Sequence, residues 1–248
     1  TPFEAQARLA LLAIYERSRD WSHAASIAQK MHAADQGDFS TRQAHYLCEQ
    51  ALALSVQGDR AGAKALLEQA IAAAPDAARA RIELARLQQL MGQPDAVLAT
   101  LQTLGERAPA ALPLAAPLLV EAGNATGRQA EVLARLVAHY EQSPSLDVLE
   151  SIVAMEAAND ATQATARARY VQHLDKERSL VAAAKWLSAE KLEHEEFHPQ
   201  IQRALEHAVK PLTRYRCAAC GFEARQHFWQ CPGCQTWDSY PARRVEEL

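Results

Sequence analysis

Apolar and polar positions run along this chain in helical stripes, and the stripes come in pairs. Leu9, Leu12, Ile14 and Tyr15 mark one stripe, polar Arg17 to Asp20 interrupts it, and a second runs from Ala24 through Ile27 to Met31. Apolar residues three and four apart share one face of an α-helix, so the pattern predicts a helix–turn–helix hairpin. Thr1, Pro2 and Glu4 fit its start as N-cap, first helical residue and capping-box acid. The pattern then recurs. Gly58-Asp59 and Gly92-Gln93 predict the turns of the next two hairpins, 34 residues apart, and Pro75 and Pro109 close their second helices at the same interval. Ala63 matches Val97, Leu67 matches Leu101, and Ala70 matches Leu104.

A helical hairpin repeating every 34 residues has the period of tetratricopeptide repeats. The first hairpin matches the second at a spacing of 39, with its extra residues in the loop from Asp35 to Thr41, and a fourth unit runs from Leu112 through Gly127 to Pro144. Leu146–Ala157 with Ala161–Leu174, and Leu180–Glu193 with Gln200–Val209, read as degenerate pairs, and Lys210-Pro211 ends the array. The expected fold is an all-α tetratricopeptide-repeat solenoid, a right-handed superhelix, over residues 1–212, with a small second domain at 213–248. First helices of stacked hairpins line a concave face. In the repeat register that face takes Gln6, Leu9, His45, Cys48, Leu52, Arg79, Ile82, Arg86 and Gln89. His45, Arg79, Ile82, Arg86 and Gln89 are the candidate partner-binding residues, the two arginines as carboxylate forks. Against this stands a solvated face with ordinary arginines.

The second domain rests on cysteines. Cys217-x-x-Cys220 and Cys231-x-x-Cys234 form two pairs separated by ten residues, the spacing of two metal knuckles completing a four-sulfur site. Gly221 and Pro232 suit the two turns. Six of the chain's fifteen aromatics fall between Tyr215 and Tyr240, too few residues to fold without the ion. Zinc and iron both accept four thiolates in a tetrahedron, so spacing alone does not choose between them. Cys48 reads as a small buried hydrophobe, and His227 as a surface residue. Lys210-Pro211-Leu212-Thr213 is a short linker, so the module is expected to pack on the last helices near Leu205 and Val209.

A net charge of −4, with five arginines against four acids at 211–248, disfavours a nucleic-acid partner. No run of eighteen apolar residues spans a bilayer, so no membrane insertion is expected of these residues; Ala110 to Val120 is too short and holds two prolines. The chain begins without methionine and is read as a piece of a longer protein. His194-Glu195-Glu196-Phe197-His198 matches the H-E-x-x-H zinc-protease pattern, but Pro199 pushes His198 off the shared helical face, and a polar helix end is expected. Neither a phosphate-binding G-x-x-x-x-G-K-[ST] loop nor a G-x-S-x-G elbow is present, and no catalytic residue is assigned; the expectation is no enzyme.

A repeat array ending in Y-x-C-x-x-C-G-F…W-x-C-P-x-C-x-x-W resembles the lipopolysaccharide assembly protein B (LapB, YciM) family of Gram-negative bacteria. Tyr215, Cys217, Cys220, Gly221, Phe222, Trp229, Cys231, Pro232, Cys234 and Trp237 carry the match. The resemblance implies a rubredoxin-like/zinc-ribbon metal domain at 213–248 and an adaptor in lipopolysaccharide biosynthesis, held on the cytoplasmic face of the inner membrane by an N-terminal helix absent here. Its implied partners are the membrane protease FtsH, the deacetylase that commits carbon to lipid A and is degraded by FtsH, and other lipopolysaccharide-assembly proteins. A homo-oligomer is admitted. The cysteine pairs lie closer in sequence than in true rubredoxins, and Gln235 stands where those carry glycine, which favours a structural ion. A rubredoxin-like electron carrier and a nucleic-acid-binding zinc ribbon are the alternatives.

Overall fold

A computed structural model describes residues 2–35, 37–158, 163–188 and 198–248. They fall into two compact units, Thr1–Ala111 and Leu112–Leu248. Thr1, the expected N-cap, lies outside the described residues.

The first unit holds three hairpins: α1 (Pro2–Ser18) with α2 (Trp21–Ala33), α3 (Ser40–Val56) with α4 (Arg60–Ala73), and α5 (Ala78–Leu90) with α6 (Pro94–Arg107). Each turn carries one left-handed residue, Arg19 at φ 55°, Gly58 at φ 88° and Gly92 at φ 68°. Glycine takes that conformation freely, whereas Arg19 bears a strain of about 1–2 kcal/mol. Asp20 and Asp59 then cap the second helices, accepting from the His23 and Gly62 N–H groups at 3.2 and 2.8 Å. In the third turn Pro94 opens α6 instead. The residues matched by the 34-residue period are buried in both hairpins: Ala63, Leu67 and Ala70 in α4, Val97, Leu101 and Leu104 in α6. Cys48 is buried, as expected.

A 3₁₀ stretch, Pro109–Ala115, whose residues from Leu112 on belong to the second unit, leads into α7 (Ala116–Thr126) and α8 (Gln129–Gln142), joined at Gly127 with φ 70°. Gly123 lets these two helices touch: a Cβ there would meet Val132 Cγ2 at 2.8 Å. Next come α9 (Leu146–Ala157), α10 (Gln163–Lys176), α11 (Leu180–Ser188) and α12 (His198–Val209). Arg169 grips Glu156 at 2.7 Å across α9 and α10, and the Tyr140 hydroxyl meets His173 Nδ1 at 2.6 Å across α8 and α10. No side chain of α12 is buried. Of the H-E-x-x-H stretch, residues 194–197 lie outside the described residues, while His198 opens α12 with Pro199 in its first turn. Two short strands follow, β1 (Tyr215–Arg216) and β2 (Glu223–Ala224), antiparallel with Tyr215 opposite Ala224. Among the described residues no helix is long and apolar enough to cross a membrane.

Candidate metal centre

The two cysteine pairs sit in matching turns. Gly221 N–H donates to Cys217 O and Gln235 N–H to Cys231 O, both at 2.9 Å; Cys217 N–H donates to Phe222 O and Cys231 N–H to Thr236 O, again at 2.9 Å. Each turn places one left-handed residue after its second cysteine, Gly221 at φ 77° and Gln235 at φ 62°. Gln235 accepts the conformation that glycine takes more cheaply, and its side chain braces the turn by donating to Pro232 O at 3.2 Å.

These turns aim four sulfurs at one point. All lie within 4.8 Å of one another, with Cys217 to Cys234 at 3.8 Å and Cys220 to Cys231 at 3.7 Å. A tetrahedral ion with bonds of about 2.3 Å sets its sulfurs about 3.8 Å apart, so the four cysteines are positioned to bind one metal ion. Cys217 and Cys231 are buried, and Cys220 and Cys234 face solvent. The thiols titrate unequally. Burial raises Cys217, but hydrogen bonds from the Ser239 side chain and the Cys220 and Ala219 N–H groups outweigh it, taking its pKa to about 6. Cys234 is lowered by the Thr236 hydroxyl and N–H. At Cys220 a bond from the Phe222 N–H pulls downward, but desolvation and the three crowding sulfurs prevail and push it up to about 12. Four thiolates cannot share so small a volume without a cation, and a divalent ion held by Cys217, Cys220, Cys231 and Cys234 would keep all four deprotonated.

The core of this module is Tyr215, Cys217, Cys231 and Tyr240, against which Leu114, Ala224 and Phe228 pack. His227, expected at the surface, is half-buried among aromatic rings. It lies edge-on to Trp229 at 4.7 Å, Tyr215 at 5.8 Å and Tyr240 at 6.0 Å, with Nε2 3.0 Å from Tyr240 O. Burying an imidazole on ring faces satisfies its apolar body while the carbonyl takes its polar tip.

The module packs on other parts of its own unit. Leu114 of the 3₁₀ stretch and the start of α9 receive it. Asp147 accepts the Tyr215 hydroxyl at 2.9 Å and pairs with Arg244 at 2.5 Å, while the Arg244 guanidinium lies 4.4 Å over the Tyr215 ring. A planar cation that forks to a carboxylate and stacks on a ring fixes the approach more firmly than apolar contact with an exposed helix face. Asp147, Arg244, Glu246 and Glu247 escaped the sequence reading. The signal available was Ser145 and Ser179, both followed by apolar runs and set at the repeat interval.

In the first unit the proposed groove residues divide. His45, Arg79 and Ile82 are buried, Gln89 is half-buried and Arg86 is exposed. Arg79 reaches Glu49 at 2.6 Å and His45 O at 3.4 Å, tying α5 to α3. Arg86 pairs with Glu83 at 3.1 Å. Of the rest of that predicted face, Gln6, Leu9 and Leu52 are exposed.

Residues 215–240 match the model of a family described as rubredoxin metal binding domain, of the LapB zinc-ribbon type, and residues 57–122 match the tetratricopeptide repeat. The chain is 24% identical over 254 residues to lipopolysaccharide assembly protein B of Escherichia coli K12, covering all of this chain and 65% of that protein. The protein of the same name from Haemophilus influenzae is also 24% identical, covering 92% of this chain and 59% of its own length. The chain therefore spans under two thirds of the length of these relatives. A crystal structure of MamA protein superposes on 72% of the chain with a TM-score of 0.46 and 14% identity. Tetratricopeptide hairpins and a four-cysteine ribbon, in one chain that aligns along its whole length with the Escherichia coli protein, support a LapB-family tetratricopeptide and zinc-ribbon protein.

Proposed function

We propose that the chain is a non-enzymatic adaptor in lipopolysaccharide biosynthesis, with residues 1–212 as a partner-binding repeat array and residues 213–248 as a metal domain. The observation that carries it is the pairing of a tetratricopeptide array with a LapB-type ribbon in a chain matching lipopolysaccharide assembly protein B throughout. On this reading Cys217, Cys220, Cys231 and Cys234 hold one structural ion. Zinc is favoured, because the ten-residue separation and Gln235 depart from electron-transferring rubredoxins. Arg86 and Gln89 reach the partner directly, and His45, Arg79 and Ile82 hold the groove floor beneath them. The partners are FtsH, the deacetylase of the lipid A pathway that FtsH degrades, and other assembly proteins, met at the cytoplasmic face of the inner membrane.

Affinity capture of the full-length protein from membranes tests this, run with the four cysteines intact and with all four replaced by serine. Recovery of the protease and the deacetylase by the intact protein, and loss of either on replacement, is expected. Capture of neither by the intact protein overturns the reading. A coloured protein with a reversible redox couple would favour the electron-transfer alternative instead.

A further inference from the structure

We propose that the C-terminal residues Arg244 to Glu247 are a latch that makes the caps of α9 and α11 depend on metal binding in the module. Two consecutive glutamates reach two successive helix starts. Glu247 accepts the Leu146 N–H at 2.8 Å at the start of α9. Glu246 accepts the Leu180 and Val181 N–H groups at 2.5 and 3.1 Å and the Ser179 hydroxyl at 2.7 Å at the start of α11. Leu146 and Leu180 are 34 residues apart, as are the cap serines Ser145 and Ser179. The tail thus reads the same position in two successive repeats. Each glutamate places negative charge on the positive end of a helix and satisfies N–H groups that would otherwise lack partners.

The tail holds this pose through the module's own chain. Val245 N–H donates to Arg214 O at 2.7 Å, Glu246 N–H donates to Leu212 O at 3.2 Å, and Arg244 donates to Thr213 O at 2.6 Å and stacks on Tyr215. Tyr215 packs in one core with Cys217 and Cys231. A module this small keeps its core only with the ion bound, so losing the ion frees the segment 212–216 on which the tail rests. The starts of α9 and α11 then lose these carboxylate bonds, although no metal ligand touches them. The latch stands whether or not the adaptor reading holds, because it requires no partner.

Amide hydrogen exchange on the full metal-loaded chain tests it, reading Leu146, Leu180 and Val181. Chelation is expected to speed exchange at these amides about tenfold or more. Glu246→Gln with Glu247→Gln, in metal-loaded protein whose ion content is unchanged, should do the same, because a neutral amide loses the charge-assisted bonds. Chelating the double variant should add less than about twofold, since both perturbations open one latch. Unchanged protection at the three amides after chelation overturns the proposal. So do multiplying effects, which make cap and ion independent, and equal loss of protection across 116–142, which makes the response global.

Discussion

Replacing Asp147 with Asn tests whether the module is held on its helices by one ionic hub. Asp147 accepts the Tyr215 hydroxyl through Oδ2 and two nitrogens of Arg244, at 2.9, 3.0 and 2.5 Å. The pair is neither open nor sealed, with side-chain exposures of 11% for Asp147 and 23% for Arg244. An exposed pair contributes at most about 1 kcal/mol, while removing one partner of a sealed pair costs about 3–5 kcal/mol. Asparagine keeps the shape and one acceptor but leaves the guanidinium without a counter-charge, so a loss of about 2–3 kcal/mol is expected. For a unit of this size that lowers the melting temperature by about 6–12 °C. The measurement is a double-mutant cycle with Arg244→Gln, following unfolding by the fluorescence of Trp229 and Trp237. Coupling of about 1.5 kcal/mol or more is expected. A coupling under about 0.5 kcal/mol would refute the hub and leave the module held by its apolar contacts and the bonds of Glu246 and Glu247.

Cys217→Ser is expected to abolish one-to-one metal content measured by atomic emission, whereas Cys48→Ser, buried in the other unit, should leave it intact; full occupancy in the former rejects the four-sulfur site. Gly123→Ala drives a methyl into Val132 and should cost about 1–3 kcal/mol by denaturant titration, against about 1 kcal/mol for Gly58→Ala, where the added Cβ meets nothing within 4 Å and only the left-handed backbone resists. Equal costs at the two sites would discredit the close approach of α7 and α8. Desolvation holds His139 and His173 below their usual pKa of 6.5. The unfolded chain therefore binds more protons than the folded one, and the second unit should lose stability as pH falls through about 6.5. His173→Gln should flatten that slope in denaturant titrations from pH 7.5 to 5.5, and an unchanged slope would show that His173 does not contribute.

The ligand set was legible because its information is local: two residues between cysteines close a turn within one segment, whatever the rest of the chain does. The hairpins were legible for the same reason, since a 3.6-residue apolar stripe and a turn with Gly58 or Gly92 are complete within one period. Even the exception at Arg19 followed the pattern, as the repeat places a left-handed residue there and the chain accepts the strain.

What the sequence by itself determined, then, is the kind of element at each place, the period of the hairpins, and the four sulfurs positioned to bind one ion. Tertiary structure alone decided how these parts meet. Arg244 and Asp147 are 97 positions apart, and Glu247 caps a helix 101 positions away. No periodicity marks such a pair, because a carboxylate near the chain's end is equally suited to any free helix start. Folding brought the tail to the starts of α9 and α11, put His227 among aromatic rings rather than in water, and turned Arg79 inward to Glu49. Local geometry follows from neighbouring residues, whereas long-range partners depend on which surfaces the packed chain brings within hydrogen-bonding reach.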